Sequence, residues 1–233
     1  MPSINVVFDF DSTLATSFIG GEMYRDHVPE DDENRARQRF LSDATSLREY
    51  QEEIFNLVDE SVAQMSKRAS EVTEIRPLTQ EVCQQVWTSG GSVAVASAGL
   101  DFYIQPALDK AGLEQIEVHS GKIVSKPTEL PPFRYDYPSS FRDTCESDGV
   151  TCKCAVVNHL REDNGGTEAE VVFVGDGDTS DACAAKNAAD TVFATARLLT
   201  YCNNNGIPAK EFKEDFEPLL SYVLSKTSPN GAR

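Results

Sequence analysis

The sequence predicts an α/β fold, a parallel sheet with helices on both faces and a block of helices inserted after the first strand. Three observations predict it. Short β-rich apolar runs alternate with helix-like segments, two of those runs end in acidic turns, and a long stretch after the first run has helical periodicity only. At 233 residues, 40% hydrophobic and 25% charged, the chain can bury one full core with a smaller second unit.

The first run, INVVF at residues 4–8, reads as a buried strand, and the turn DFDSTL follows it directly. Groups at the C-terminal end of such a strand stand where open α/β sheets bind ligands. Over residues 18–87 the apolar positions Phe40, Leu47, Ile54, Leu57, Val58, Val62 and Met65 keep a helical spacing that suits three or four helices. Strand-like segments return at residues 92–96, 115–119 with 122–124, 171–174 and 191–194, with helices expected at 102–111, 153–161 and 180–187. Residues 125–151, rich in Pro, Ser and Asp, read as a surface loop. The resulting division is a core of residues 1–17 and 88–224, a helical cap of residues 18–87 over the strand ends, and a frayed tail of residues 225–233. A pocket between core and cap would exclude water and select a substrate.

A net charge of −17 opposes binding to nucleic acid, and it would repel an anionic small substrate unless the site held its own cations. No apolar run reaches the roughly 20 residues of a membrane span, and the N-terminus lacks a signal-peptide pattern, so a cytoplasmic protein is expected. The six cysteines are then expected as reduced thiols, with Cys83, Cys183 and Cys202 in the core. Cys145, Cys152 and Cys154, with His159 nearby, could hold a structural zinc. The lack of paired CxxC units favours a cluster of free thiols.

Asp9 and Asp11 alternate at the end of the first strand, where two carboxylates are costly without a counter-charge. Surface turn aspartates, with Ser12 and Thr13 capping the next element, are the plainer alternative. A second acidic turn, VGDGDTSD, supplies Asp176, Asp178 and Asp181, and carboxylates from two such turns suit Mg²⁺. Ser97, in ASAG after SVAVA, and Lys153, opening a helix, could meet phosphate oxygens; a helix-preceding serine and a solvated lysine are their ordinary roles.

In this order the motifs DFDST, ASAG, TCKCAVV and GDGDTSD resemble the haloacid dehalogenase superfamily of phosphatases. The position of the helical insert resembles the branch with phosphoserine phosphatase and the methionine-salvage phosphatases, which act on methylthio-sugar phosphates. The resemblance implies a Rossmann-like core with a cap, and hydrolysis of a small phosphorylated metabolite with Mg²⁺ through an aspartyl-phosphate. It implies Asp9 as nucleophile and Asp11 as general acid, then base. The metal would be held by Asp9, Asp176 and the backbone carbonyl of Asp11, with Asp181 supporting, and the phosphate by Ser97, Ala98, Lys153, Ser12 and Thr13. Asp181 lies one residue farther from Asp176 than in most relatives, so Asp178 is an alternative, as Lys126 is to Lys153. Glu22 and Arg25, near His27 in the cap, are candidate substrate contacts, with exposed helix charges as the commoner explanation. Competing readings are a phosphomutase or dehalogenase on the same fold, or a silent metal-binding scaffold.

Overall fold

The computed structural model describes residues 3–140, 149–163 and 169–227. Five buried residues form β1 (Ile4–Phe8), whose side chains alternate between the two sheet faces, Val6 and Phe8 on one and Val7 on the other. The other strands are β2 (Val93–Leu100), β3 (Glu117–Ile123), β4 (Tyr135–Asp136), β5 (Glu170–Gly175), β6 (Thr191–Ala194) and β7 (Ala209–Glu211). They form one seven-stranded sheet in the order β4-β3-β2-β1-β5-β6-β7, parallel except for β4. This is the expected Rossmann-like α/β architecture. The chain leaves β1 toward β2 on one side and returns beside β1 as β5 on the other, so a crevice opens at the carboxyl ends of β1 and β5.

The helices are α1 (Ile19–Tyr24), α2 (Glu30–Leu41), α3 (Leu47–Phe55), α4 (Val62–Val72), α5 (Thr79–Thr88), α6 (Asp101–Lys110), α7 (Lys153–Asp163), α8 (Ala182–Asn187), α9 (Ala196–Asn205) and α10 (Glu217–Thr227). Apolar residues of α7, α8 and α9, among them Val156, Ala184 and Leu198, cover the face that carries Val7 and Phe173. Those of α5, α6 and α10, such as Val86, Leu108 and Leu219, cover the face of Val6 and Phe8. Local signals start two helices of the insert: Ser46 with Glu49, and Ser61 with Gln64, form reciprocal capping boxes for α3 and α4. α4 packs on α6, and α1 packs on the turn that follows β1.

Four expectations change. α5, assigned above to the cap, packs against α10, β1 and β2, because its buried Val82, Cys83 and Val86 face the sheet. The final helix runs to Thr227, into the segment expected to fray, and residues beyond it lie outside the described residues. Inside the expected 125–151 loop, Tyr135–Asp136 pairs with the end of β3, and the two β3 segments are one strand. Cys154 and Cys183 form a disulfide rather than reduced thiols, since α7 and α8 pack together and bring their Cα atoms to 6.1 Å. That bond removes Cys154 as a zinc thiolate, and Cys145 lies outside the described residues. Cys83 and Cys202 are buried, as expected.

After β1 the backbone makes one wide turn, Phe10–Leu14, closed where the Ala15 N–H donates to the Phe10 carbonyl at 2.9 Å, with Asp11 and Ser12 outside helical backbone angles. Ser12 sits there at φ 60°, a left-handed conformation that costs a residue with a side chain about 1–2 kcal/mol. Arg76, 8% exposed, holds the turn in place. Its Nε donates to the Thr13 carbonyl at 2.7 Å, Nη2 to the Ser12 carbonyl at 3.0 Å, and Nη1 to the Lys213 carbonyl at 2.5 Å. Arg76→Ala should therefore lower the unfolding free energy by roughly 3 kcal/mol, because several shielded carbonyls lose charged donors. Urea denaturation checks this, and a change within about 0.5 kcal/mol would place it among inert surface substitutions.

Candidate active site

The parallel pairing of β1 with β5 sets Asp9 and Asp176 side by side at the strand ends, where the Asp9 N–H donates to the Val174 carbonyl at 2.8 Å. Asp181 precedes α8 and turns its carboxylate back into the crevice. One oxygen from each of Asp9, Asp176 and Asp181 lies within 4.8 Å of the others. Lys153, first residue of α7 and 1% exposed, donates to Asp9 Oδ1 at 2.6 Å and also to Asp181 Oδ1. The other Asp181 oxygen accepts from the backbone N–H groups of Asp176 at 3.0 Å and Gly177 at 2.8 Å. Thr13 Oγ1 donates to Asp176 Oδ1 at 3.2 Å.

The cluster therefore gathers three carboxylates around one ammonium. Burial raises the Asp9 pKa well above the usual carboxylate value, and Asp181 and Asp176 push it further, against the lowering by Lys153. Asp176 is raised by burial and by Asp181. Burial pulls Lys153 down, but Asp181 and Asp9 outweigh it, so the ammonium keeps its proton and its pKa rises. Negative charge is left in surplus. Oxygen donors in surplus over cations, at mutual distances a single ion can span, are what Mg²⁺ takes. The donor set fits such an ion.

Asp11 stands apart from this cluster and closer to the helical insert. Its Oδ1 accepts from the Gly20 N–H at 3.1 Å and its Oδ2 from the Tyr103 hydroxyl at 2.7 Å. Burial pushes its carboxyl up to about 6, although both donors favour the ionised form. A carboxyl titrating near 6 can both give and take a proton close to neutral pH. Ser97 is 1% exposed, and its hydroxyl accepts from the Gly99 N–H at 3.0 Å. The Ala98 carbonyl accepts from Gln51 Nε2 of α3 at 2.7 Å, which ties the insert to this strand end.

The family model of the haloacid dehalogenase-like hydrolases matches residues 6–186. The chain belongs to this family. A 2-hydroxy-3-keto-5-methylthiopentenyl-1-phosphate phosphatase from Bacillus cereus strain 03BB102 is 30% identical over 229 residues, covering 95% of this chain and 98% of the relative. Its counterpart from strain B4264 is 29% identical over 228 residues, with the same coverage. A solved phosphoserine phosphatase, described as a phospho-aspartyl intermediate analogue, superposes with a TM-score of 0.70 at 18% identity, covering 95% of this chain and 99% of that one. At that identity the likeness is one of fold. Within the haloacid dehalogenase-like hydrolases, the activity class of this chain is that of a phosphatase.

Several residues singled out from this hydrolase's sequence meet in one place. Asp9, Asp176, Asp181, Lys153 and Thr13 are joined by one connected set of hydrogen bonds. Asp178 is not with them: it is exposed and faces Arg197 at 3.7 Å. Lys126 lies on an exposed loop. Glu22 and Arg25 pair with one another at 2.7 Å at the end of α1, and His27 lies 3.1 Å from Asp59. Sequence reasoning missed Arg76, Tyr103 and Gln51, which act across 47 or more positions of chain and belong to no motif. Gly99 of ASAG and Gly20 are the glycines that leave room for the Tyr103 hydroxyl.

Removing the ammonium would leave buried carboxylates facing one another. Lys153→Met should destabilise the metal-free protein by roughly 3–5 kcal/mol, and added Mg²⁺ should recover much of that loss. Denaturation curves with and without Mg²⁺ check it; equal losses in both would mean that no cation replaces the ammonium.

Proposed function

We propose that this chain hydrolyses a small phosphorylated metabolite with Mg²⁺, through a covalent phosphate on Asp9. The observation that carries the reading is the set of three carboxylates around a single buried ammonium, at the switch point of the sheet. Asp9 and Asp176, with the backbone carbonyl of Asp11, would hold the ion, and Asp181 would support them while it orients Lys153 and the Asp176 backbone. Bound Mg²⁺ supplies positive charge to the phosphoryl oxygens and the attacking carboxylate.

Asp9 attacks phosphorus as nucleophile, held in orientation by Lys153. Asp11 gives its proton to the leaving oxygen and then takes one from the water that releases phosphate. Ser97, with the backbone around Ala98, Ser12 and Thr13, and the Lys153 ammonium take up the remaining charge of the phosphoryl group. The helices α1–α4 act as a cap over this crevice, and Glu22 on α1 and Arg25 just after it are the candidate substrate contacts. Full-length relatives named for 2-hydroxy-3-keto-5-methylthiopentenyl-1-phosphate make that compound the first substrate to test, with phosphoserine second on likeness of fold.

Among the described residues no helix is long and apolar enough to cross a membrane. The reading is of a metabolic enzyme, and a charge of −17 supports a partner that is neither nucleic acid nor an anionic membrane.

Asp9→Asn should abolish turnover of either substrate while leaving the fold intact, and excess EDTA should abolish it in the unaltered protein. Phosphate release and circular dichroism check both; turnover that survives either treatment would require another nucleophile or a metal-free route. A Mg²⁺ titration separates the two carboxylates of the second turn. Asp181→Asn should raise the Mg²⁺ requirement and lower turnover, whereas Asp178→Asn should behave as the unaltered protein, and the opposite pattern would reassign the turn.

A further inference from the structure

Tyr103 is a fully packed residue of α6, 1% exposed, with its ring 5.3 Å from Phe102 and 6.0 Å from Phe10. Its hydroxyl is the donor to Asp11 Oδ2. The space for that hydroxyl is made by two glycines from different parts of the chain. A Cβ at Gly99 would collide with the hydroxyl oxygen, and one at Gly20 would lie 3.2 Å from it. Gly20 also supplies the N–H that holds the other Asp11 oxygen. One carboxyl is thus fixed at both oxygens by neutral donors, one from the core helix and one from the first helix of the insert.

Neutral donors suit a group that must change protonation state twice in a cycle. An ammonium or guanidinium there would hold the carboxyl ionised, whereas a phenol and an amide fix its direction and leave lone pairs to carry the proton. We propose that Tyr103 is a positioning residue for Asp11, aiming its carboxyl at the leaving oxygen. The inference rests on the reading of Asp11 as general acid and base. In the first half-reaction the Asp11 proton passes to the leaving oxygen as its bond to phosphorus breaks and the Asp9 oxygen bonds to phosphorus. In the second, a water proton passes to Asp11 as the water oxygen bonds to phosphorus and Asp9 is released. Tyr103 keeps its own proton throughout.

The consequence is a dependence on the leaving group. An ester with a basic leaving oxygen needs the aimed proton; one that leaves as a stable phenolate does not. The test compares the unaltered protein, Tyr103→Phe and Asp11→Asn, with Mg²⁺ present, on an alkyl phosphate, phenyl phosphate, 4-nitrophenyl phosphate and 2,4-dinitrophenyl phosphate. The phenylalanine keeps the ring packing and removes only the hydroxyl. Since a placed general acid contributes roughly 100- to 10,000-fold, loss of its aim should lower kcat/KM, which reports transfer to Asp9 and not the later hydrolysis, roughly 10-fold or more on the alkyl ester and less than about 3-fold on the dinitrophenyl ester. The ratio between two substrates in one preparation does not depend on the folded fraction, so partial loss of folding cannot imitate the result. A uniform loss across the series, or no loss, with Tyr103→Phe while Asp11→Asn shows the steep dependence, would overturn the role of Tyr103 and leave that of Asp11 standing. A flat response with Asp11→Asn would overturn the acid–base reading and this inference with it.

Discussion

Three carboxylates crowd one buried ammonium that bonds only two of them, where the strand order of the sheet reverses, and the neighbouring elements are arranged around that imbalance. Two charges taken out of water attract strongly, but the desolvation cost is of similar size, and an extra carboxylate tips the balance against burial. Lys153 can be buried because Asp9 and Asp181 both accept from it, and Asp181 can be buried because two backbone N–H groups hold its other oxygen. Among the described residues Asp176 is left without a cationic hydrogen-bond partner, and burial together with the neighbouring carboxylates raises the pKa values of Asp9 and Asp176.

The same region stores conformational strain and restrains it from outside. Ser12 adopts a left-handed conformation within the turn that follows Asp9 and carries Asp11, and Arg76 reaches from the segment before α5 to bind the Ser12 and Thr13 carbonyls. A third bond from Arg76, to the Lys213 carbonyl, anchors the turn to the C-terminal part of the chain. The inserted helices are not a separate module laid on top. Gln51 of α3 binds the Ala98 carbonyl, and the Gly20 N–H of α1 binds Asp11, so a movement of the insert would be felt at the end of β2 and at the Asp11 carboxyl.

Much of the core was legible because its signals are local. INVVF and EVVFVG are apolar runs buried on both faces, as a central parallel strand requires, and each leads straight into an acidic turn. The helical periodicity of the insert was equally plain, but its end was not. α5 has the same spacing as the helices before it, and only the face against which Val82 and Val86 pack assigns it to the sheet. Cysteine chemistry was read from composition, whereas the Cys154–Cys183 bond depends on α7 and α8 lying side by side. In the second acidic turn, spacing alone offered both Asp178 and Asp181; burial and hydrogen bonding separate them.

By itself the sequence determined the α/β pattern, the ordered acidic turns and the helical insert after the first strand, since each is written in residues close together in the chain. The tertiary structure alone decided which carboxylates share Lys153, that Asp178 faces outward, and that Arg76 and Tyr103 serve the turn. Contacts such as Tyr103 with Asp11 or Lys153 with Asp9 join residues brought together by the packing of helices on a sheet. The geometry of that packing is set by the whole core, and no local periodicity records it.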